Sequence, residues 1–267
     1  MNEGDSVLRV ITDKTFHLKS SVLALGTFDG VHIAHQVLLK KAAALGRQTG
    51  APSVVYTFAN HPLECVDPQR VPPLLTTLEM KQKQMERCGV DVLCMVPFDE
   101  AMMRMPPETF VGELVRRFHP RQVVCGYNYT FGFGGAGTAQ MLTVLGAALG
   151  FGCSVVPKIG LDGQEVSSTQ IRTALLEGQD ALAAKLLGRP YGFFIRKQGE
   201  TFVMQNDRQL LPAAGQHRAL FTGAKGREPF LLTVLDSGEM LLPKAFSGEK
   251  EGYLEVLKKI GETACLK

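Results

Sequence analysis

Two imidazoles three residues apart, His32 and His35, stand in the run Gly26-Thr27-Phe28-Asp29-Gly30-Val31-His32-Ile33-Ala34-His35. An apolar stretch, Ser21 to Leu25, precedes the run and a helical pattern follows it, so both rings fall on a helix's first turn. Free backbone N–H groups and the helix dipole attract phosphate there. Gly26 and Gly30 permit a tight turn and close approach of an anion to the backbone. A metal site competes with this reading, but two histidines without a third ligand nearby argue against it. A second cluster, Val166-Ser167-Ser168-Thr169-Gln170-Ile171-Arg172, offers three hydroxyls and a guanidinium at another helix start. Ser167 with Gln170 fits a capping box, which accounts for the cap and leaves the arginine unexplained.

Two further runs follow predicted strands. Gly126-Tyr127-Asn128-Tyr129-Thr130-Phe131-Gly132-Phe133-Gly134-Gly135-Ala136-Gly137 interleaves aromatic rings with glycines, which suits a flat ring held against backbone and equally suits a surface loop. Tyr56-Thr57-Phe58-Ala59-Asn60-His61-Pro62 places His61 just past a strand end. A histidine of this kind is more often structural, and its interest lies in its position.

The elements that must hold these groups are legible as an alternation. Ser21–Leu25, Ser53–Phe58, Val90–Val96, Gln122–Cys125 and Cys153–Val156 read as buried strands. Ala34–Leu45, Thr77–Cys88, Pro107–Phe118, Thr138–Leu149, Thr169–Leu176 and Asp180–Leu187 read as helices, with Gly46, Gly89 and Gly150 as C-terminal stops. Alternating strands and helices imply right-handed crossovers and a doubly wound, largely parallel α/β sheet of Rossmann-like type. Such sheets bind ligands at the carboxyl ends of their strands, where these runs converge. After Gly188-Arg189-Pro190 the pattern changes to short strands at Gly192–Arg196, Thr201–Gln205, Gln209–Pro212, His217–Thr222, Phe230–Leu235 and Glu239–Leu242. A final helix is predicted over Glu249–Ile260. The expected division is residues 1–187, a doubly wound α/β domain, and residues 188–267, a small β-rich domain.

Composition narrows the classes. With 45% hydrophobic and 21% charged residues the 267-residue chain reads as globular, and a net charge of +3 gives no argument for nucleic acid or a membrane surface. Six scattered cysteines without a C-x-x-C pair suit reduced thiols in a cytoplasmic protein. Residues 1–19 lack the apolar segment of a signal peptide, and no apolar run reaches the ~20 residues of a membrane span.

Together these runs resemble bacterial FAD synthetase, the bifunctional riboflavin kinase/FMN adenylyltransferase family. That family shows G-x-F-D-G-x-H-x-G-H, then T-F-x-P-H-P, then G-x-[DN]-[FY]-x-F-G, then [IV]-S-S-[ST]-x-I-R, and this chain carries the four in that order. Leu75-Thr76 with Lys81, Gly89-Val90-Asp91 and Leu186-Leu187-Gly188-Arg189-Pro190-Tyr191 extend the likeness over residues 20–191. The resemblance implies transfer of AMP from ATP to FMN, with Mg²⁺ accompanying ATP and no resident metal. It implies that His32 and His35 contact the ATP phosphates and stabilise charge as pyrophosphate leaves. Ser167, Ser168, Thr169 and Arg172 would hold the triphosphate from the other side, and Asn128 would stand beside the reacting phosphates or flavin. Gly26, Phe28, Asp29, Gly30, His61, Gly126, Tyr127 and Phe131 complete the expected ATP and flavin contacts. The partners implied are these small molecules, with neither nucleic acid nor membrane.

The chain departs from the pattern at three places. Ala34 replaces the glycine of H-x-G-H, and Ala59-Asn60 replaces a frequent Asp-Pro. The kinase segment G-R-x-x-G-F-P-T-A-N has no counterpart, so residues 191–267 are expected to form a shortened remnant or replacement without riboflavin kinase activity. The alternatives are a catalytically weak paralogue that binds nucleotide or flavin, and an adenylyltransferase for another phosphorylated acceptor.

Overall fold

The computed structural model describes residues 8–13, 15–224, 226–246 and 248–260. Two compact units result, one from the residues up to Pro72 with Leu78–Ile159, the other from Pro73–Thr77 with Gly160 onward.

The first unit is a six-stranded parallel sheet in the order β1-β4-β3-β2-β5-β8. Its strands are β1 (Arg9–Ile11), β2 (Ser21–Leu25), β3 (Ser53–Phe58), β4 (Val92–Val96), β5 (Pro120–Gly126) and β8 (Gly152–Val156); β6 (Thr130–Phe131) and β7 (Gly137–Thr138) form a separate hairpin. β2 and β4 are buried at every position, as expected for strands covered on both faces. Alternate residues feed two cores: Leu23, Leu25, Val54 and Tyr56 face one side, Val22, Ala24 and Val55 the other. The covering helices are α1 (Ile33–Thr49), α2 (Leu63–Val66), α3 (Leu78–Arg87), α4 (Glu100–Met103), α5 (Pro107–Phe118) and α6 (Ala139–Leu149). From β2 the chain winds outward through β3 and β4, then crosses back to add β5 and β8 on β2's other side. The switch point therefore lies between the carboxyl ends of β2 and β5, where ligands bind in sheets of this kind.

Two boundaries move. Helix α1 continues past Gly46, the predicted stop, and ends at Gly50 in left-handed geometry (φ 63°). Gly46 is a packing residue: a Cβ there would come 2.9 Å from Ala51 O and 3.3 Å from Ser53 Cβ. Residues 9–11, which show no strand pattern of their own, pair with β4 as the edge strand β1.

The second unit contains the hairpin β9 (Gly160–Leu161) and β10 (Gln164–Glu165), helices α7 (Ser168–Leu176) and α8 (Asp180–Leu187), and six barrel strands. These are β11 (Tyr191–Gln198), β12 (Thr201–Met204), β13 (Gly215–Gly223), β14 (Gly226–Val234), β15 (Met240–Leu241) and β16 (Glu251–Lys259), closed in the order β11-β12-β15-β14-β13-β16. The barrel is a packed core filled by side chains such as Phe193, Phe221, Leu232, Met240, Leu254 and Val256.

Three expectations are corrected here. The predicted terminal helix over Glu249–Ile260 is strand β16, which pairs with β11 and β13 and so closes the barrel. Its Glu and Lys content favours helix, but Leu254 and Val256 bury at two-residue spacing and tertiary pairing overrides propensity. Gln209–Pro212 is not a strand: Gln209 makes a single parallel bridge to Leu74, and its amide donates to Leu75 O and Gly192 O. The division at 187/188 shifts to about 160, because α7 packs on α8 and α8 packs on β11 and β16.

Within this unit, His217 on β13 and Asp180 at the start of α8 are both fully buried, with His217 Nδ1 2.6 Å from Asp180 Oδ2. His217 Nε2 lies 2.8 Å from Ala213 O. Removing one partner strands the other in a dry core. Asp180→Ala is expected to lower the unfolding free energy by about 3–5 kcal/mol in urea denaturation. A loss below ~1 kcal/mol would show that the pair is not a structural tie. Among the described residues no helix is long and apolar enough to cross a membrane.

Candidate active site

The loop after β2 is held in a geometry most side chains avoid. Phe28 (φ 53°), Gly30 (φ 80°) and Val31 (φ 39°) all take positive φ, and for a β-branched valine this is a rare conformation. Strain of this kind, of order 1–3 kcal/mol per residue, persists only where surroundings impose it. Here Phe28 and Val31 are fully buried, and a Cβ at residue 26 would meet the Phe28 ring at 3.0 Å. Thr27 O accepts hydrogen bonds from Lys81 Nζ on α3 (3.0 Å) and from Thr57 Oγ1 on β3 (3.3 Å). Two separate elements, α3 and β3, thus hold one turn.

That turn delivers His32 to the N-cap of α1. Its backbone is extended, and Nδ1 accepts from the backbone N–H of His35 at 3.3 Å. An accepting Nδ1 leaves the ring proton on Nε2. The His32 and His35 rings stack at 3.6 Å between centroids with 14° between planes, and Phe28 abuts His35 edge-on at 5.2 Å. Burial pushes the pKa of His35 well below its ordinary value, with His32 and Lys81 adding like-charge repulsion. Its Nδ1 is shielded and has no hydrogen-bond partner among the described residues. The result is a stacked pair with an uncharged His35 at neutral pH, set on a helix N-terminus. An arriving polyanion would favour the protonated form that burial disfavours.

The lowered pKa has a measurable consequence for folding. Well above the ordinary histidine pKa of ~6.5 neither the folded nor the unfolded chain protonates residue 35, so the site is neutral in both. As pH falls below that value the unfolded chain gains a proton that the folded ring resists, so stability declines. His35→Gln is expected to remove this part of the acid-induced loss between about pH 7.5 and 5.5, read by urea denaturation. An unchanged slope would refute a half-buried His35 held neutral.

The loop after β5 flanks the other side of the switch point. Tyr127 and Asn128 are exposed, and Tyr127 N–H donates to Val156 O. Gly126 is half-exposed, with Asn128 Oδ1 3.3 Å from where its Cβ would stand. Phe131 turns inward instead, stacking with Tyr129 at 5.7 Å and packing on Phe110 at 5.5 Å. It anchors the loop, while Tyr127 and Phe133 present exposed rings. Glycine is required at 132, where φ is 73° and a Cβ would lie 2.8 Å from Pro107 backbone.

At the end of β3, His61 Nδ1 accepts from Leu63 N–H (3.1 Å) and its own N–H donates to Glu64 Oε1 (2.9 Å), which fits a turn-shaping role. Asn60 bonds both backbone groups of Phe98, donating to its carbonyl and accepting from its N–H. Asp29 is buried in the β2 loop, and among the described residues no group of three or more His, Cys, Asp or Glu is placed to hold a metal ion.

The hydroxyl–arginine cluster lies in the second unit. Ser167 caps α7 by accepting from Gln170 N–H at 3.3 Å, as the capping pattern predicts. Ser168 is half-buried and Thr169 exposed. Arg172 Nε donates to Pro73 O at 2.8 Å, tying α7 to the 73–77 segment of the same unit. Thr57 carries no local signal that separates it from any strand threonine, and Lys81 stands out in the sequence only as part of the family-like stretch after Leu75-Thr76, with no role attached.

The family model for FAD synthetase matches residues 14–170 of this sequence. The chain belongs to the FAD synthetase family. Relatives within it include the bifunctional riboflavin kinase/FMN adenylyltransferases of Bacillus subtilis, 34% identical over 73% of this chain and 65% of that protein, and of Listeria monocytogenes, 34% identical over 76% and 68%. The Escherichia coli protein of the same name is 33% identical over 64% of this chain and 55% of its own length. The chain thus spans about half to two thirds of these relatives. A crystal structure described as a macrolide-efflux protein from Streptococcus pneumoniae has the same fold, with a TM-score of 0.83 at 23% identity over 95% of this chain and 90% of that one.

Proposed function

We propose that the chain is an FMN adenylyltransferase, making FAD and pyrophosphate from ATP and FMN. The observation that carries this reading is the stacked His32/His35 pair at the N-terminus of α1, at the switch point of the sheet. An FMN phosphate oxygen attacks the α-phosphorus of ATP, forming one P–O bond as the bond to the departing pyrophosphate oxygen breaks. No protein nucleophile is needed; the protein's task is positioning and charge stabilisation. The Nε2–H of His32 and the N–H groups of the first turn of α1 offer donors to phosphate oxygens as charge moves onto the leaving group. Asn128 and Tyr127 are assigned to the acceptor, and Ser167, Ser168, Thr169 and Arg172 to nucleotide phosphate. Mg²⁺ would accompany ATP and neutralise phosphate charge when bound.

Riboflavin phosphorylation is not assigned to this sequence, since the Pro-Thr-Ala-Asn segment of the kinase is absent. A cytoplasmic setting agrees with the free thiols of Cys65, Cys88, Cys94, Cys125 and Cys153. The test is incubation with ATP, Mg²⁺ and either FMN or riboflavin, with products resolved by chromatography. FAD from FMN supports the proposal. Nucleotide binding without turnover overturns it, and FMN from riboflavin overturns the kinase assignment.

A further inference from the structure

One cation at this corner has no part in the assignment above. Lys81 projects from α3, and its neighbour Lys83 shows what a helix-face lysine ordinarily does: it pairs with Glu79 at 2.7 Å, with both side chains 59% exposed. Lys81 behaves differently. Its side chain is half-buried, and its ammonium donates to the carbonyl of Thr27 inside the β2 loop. A neutral carbonyl satisfies the hydrogen bond and leaves the positive charge in place, with Asp29 nearby to attract it.

We propose that Lys81 is a positioning residue of the phosphate site, through which α3 holds the Gly26–Val31 turn in its left-handed geometry and adds positive charge beside the His32/His35 pair. This rests on the adenylyltransferase reading and deepens it. Two observations carry it independently of any ionisation argument. The hydrogen bond ends on the residue just before the positive-φ stretch, and the stretch leads directly into the N-cap histidine. The bond spans 54 residues of sequence, so it transmits the placement of α3 to the loop. The electrostatics agree, since Lys81 is one of the two charges, with His32, that oppose protonation of His35. Lys81 itself faces Asp29, and burial lowers its own pKa. When triphosphate binds, the same ammonium would favour the anion.

The test uses Lys81→Met, which keeps the stem and the helix propensity, with Lys81→Arg as the charge-retaining control. Thermal unfolding verifies that both fold. In ligand-free protein, the ring-proton NMR titration of His35 should move to higher pH in Lys81→Met and return toward wild type in Lys81→Arg. The KM for ATP should rise about ten-fold in Lys81→Met, the expected cost of one charge-assisted hydrogen bond, with the KM for FMN unchanged. A wild-type titration together with a wild-type KM for ATP would overturn the proposal, as would equal rises in both KM values. If the wild-type protein makes no FAD, the adenylyltransferase reading fails by itself. Lys81 is then judged on the His35 titration and on calorimetric ATP binding, where an unchanged affinity in Lys81→Met rejects it.

Discussion

His32→Ala is expected to lower the rate of FAD formation by about 10²–10³-fold, the usual cost of removing one preorganised donor from a transition state that gathers charge. The alanine variant alone is ambiguous, because His32 Nδ1 also caps α1 and losing a cap costs ~1 kcal/mol of stability. His32→Asn separates the two roles. An asparagine oxygen can still accept from the His35 N–H, so the helix start survives, while the imidazole and its Nε2–H are gone. Steady-state assays should show both variants equally impaired, with His32→Asn near wild type in thermal stability. If His32→Asn turns over at the wild-type rate, the imidazole is a cap and the proposed chemistry is wrong.

Arg172→Ala is expected to reduce kcat/KM for ATP by about 10²-fold, since a guanidinium to phosphate is a charge-assisted, often bidentate contact. Here too a structural duty must be separated, because Nε donates to Pro73 O and so anchors the 73–77 segment within its unit. Arg172→Lys keeps the charge but lacks the planar fork. If Arg172 binds phosphate, lysine should recover part of the lost ATP affinity. If it only anchors Pro73, both variants should lose stability while kcat/KM for ATP stays within a few-fold of wild type, and that result would remove Arg172 from the site.

Much of the sheet was legible because β2, β3 and β4 are covered on both faces and read as unbroken apolar runs. Helices α5 and α8 coincide with their predicted limits, since proline opens the first and Gly188 closes the second. The failures share a cause. Gly46 looked like a stop because a local pattern does not say that a helix lies flush against the strand after it. Residues 251–259 looked helical because lysine and glutamate dominate locally, whereas their fate is set by two strands, β11 and β13, far away in the chain. The aromatic run divides in the same way: spacing gave Tyr127 and Phe131 equal standing, and packing turned one outward and the other into the core.

From the residues alone came the order of the four runs, the family they resemble, and the placing of two histidines on a helix's opening turn. Those are local matters, governed by glycine, capping and periodicity within about ten residues. Tertiary structure decided that the rings stack, that His35 is held uncharged, and that a lysine from another helix grips the turn before them. Protonation and strain depend on burial and on neighbours brought from 30 to 54 residues away, and no local pattern encodes which groups will share a dry corner.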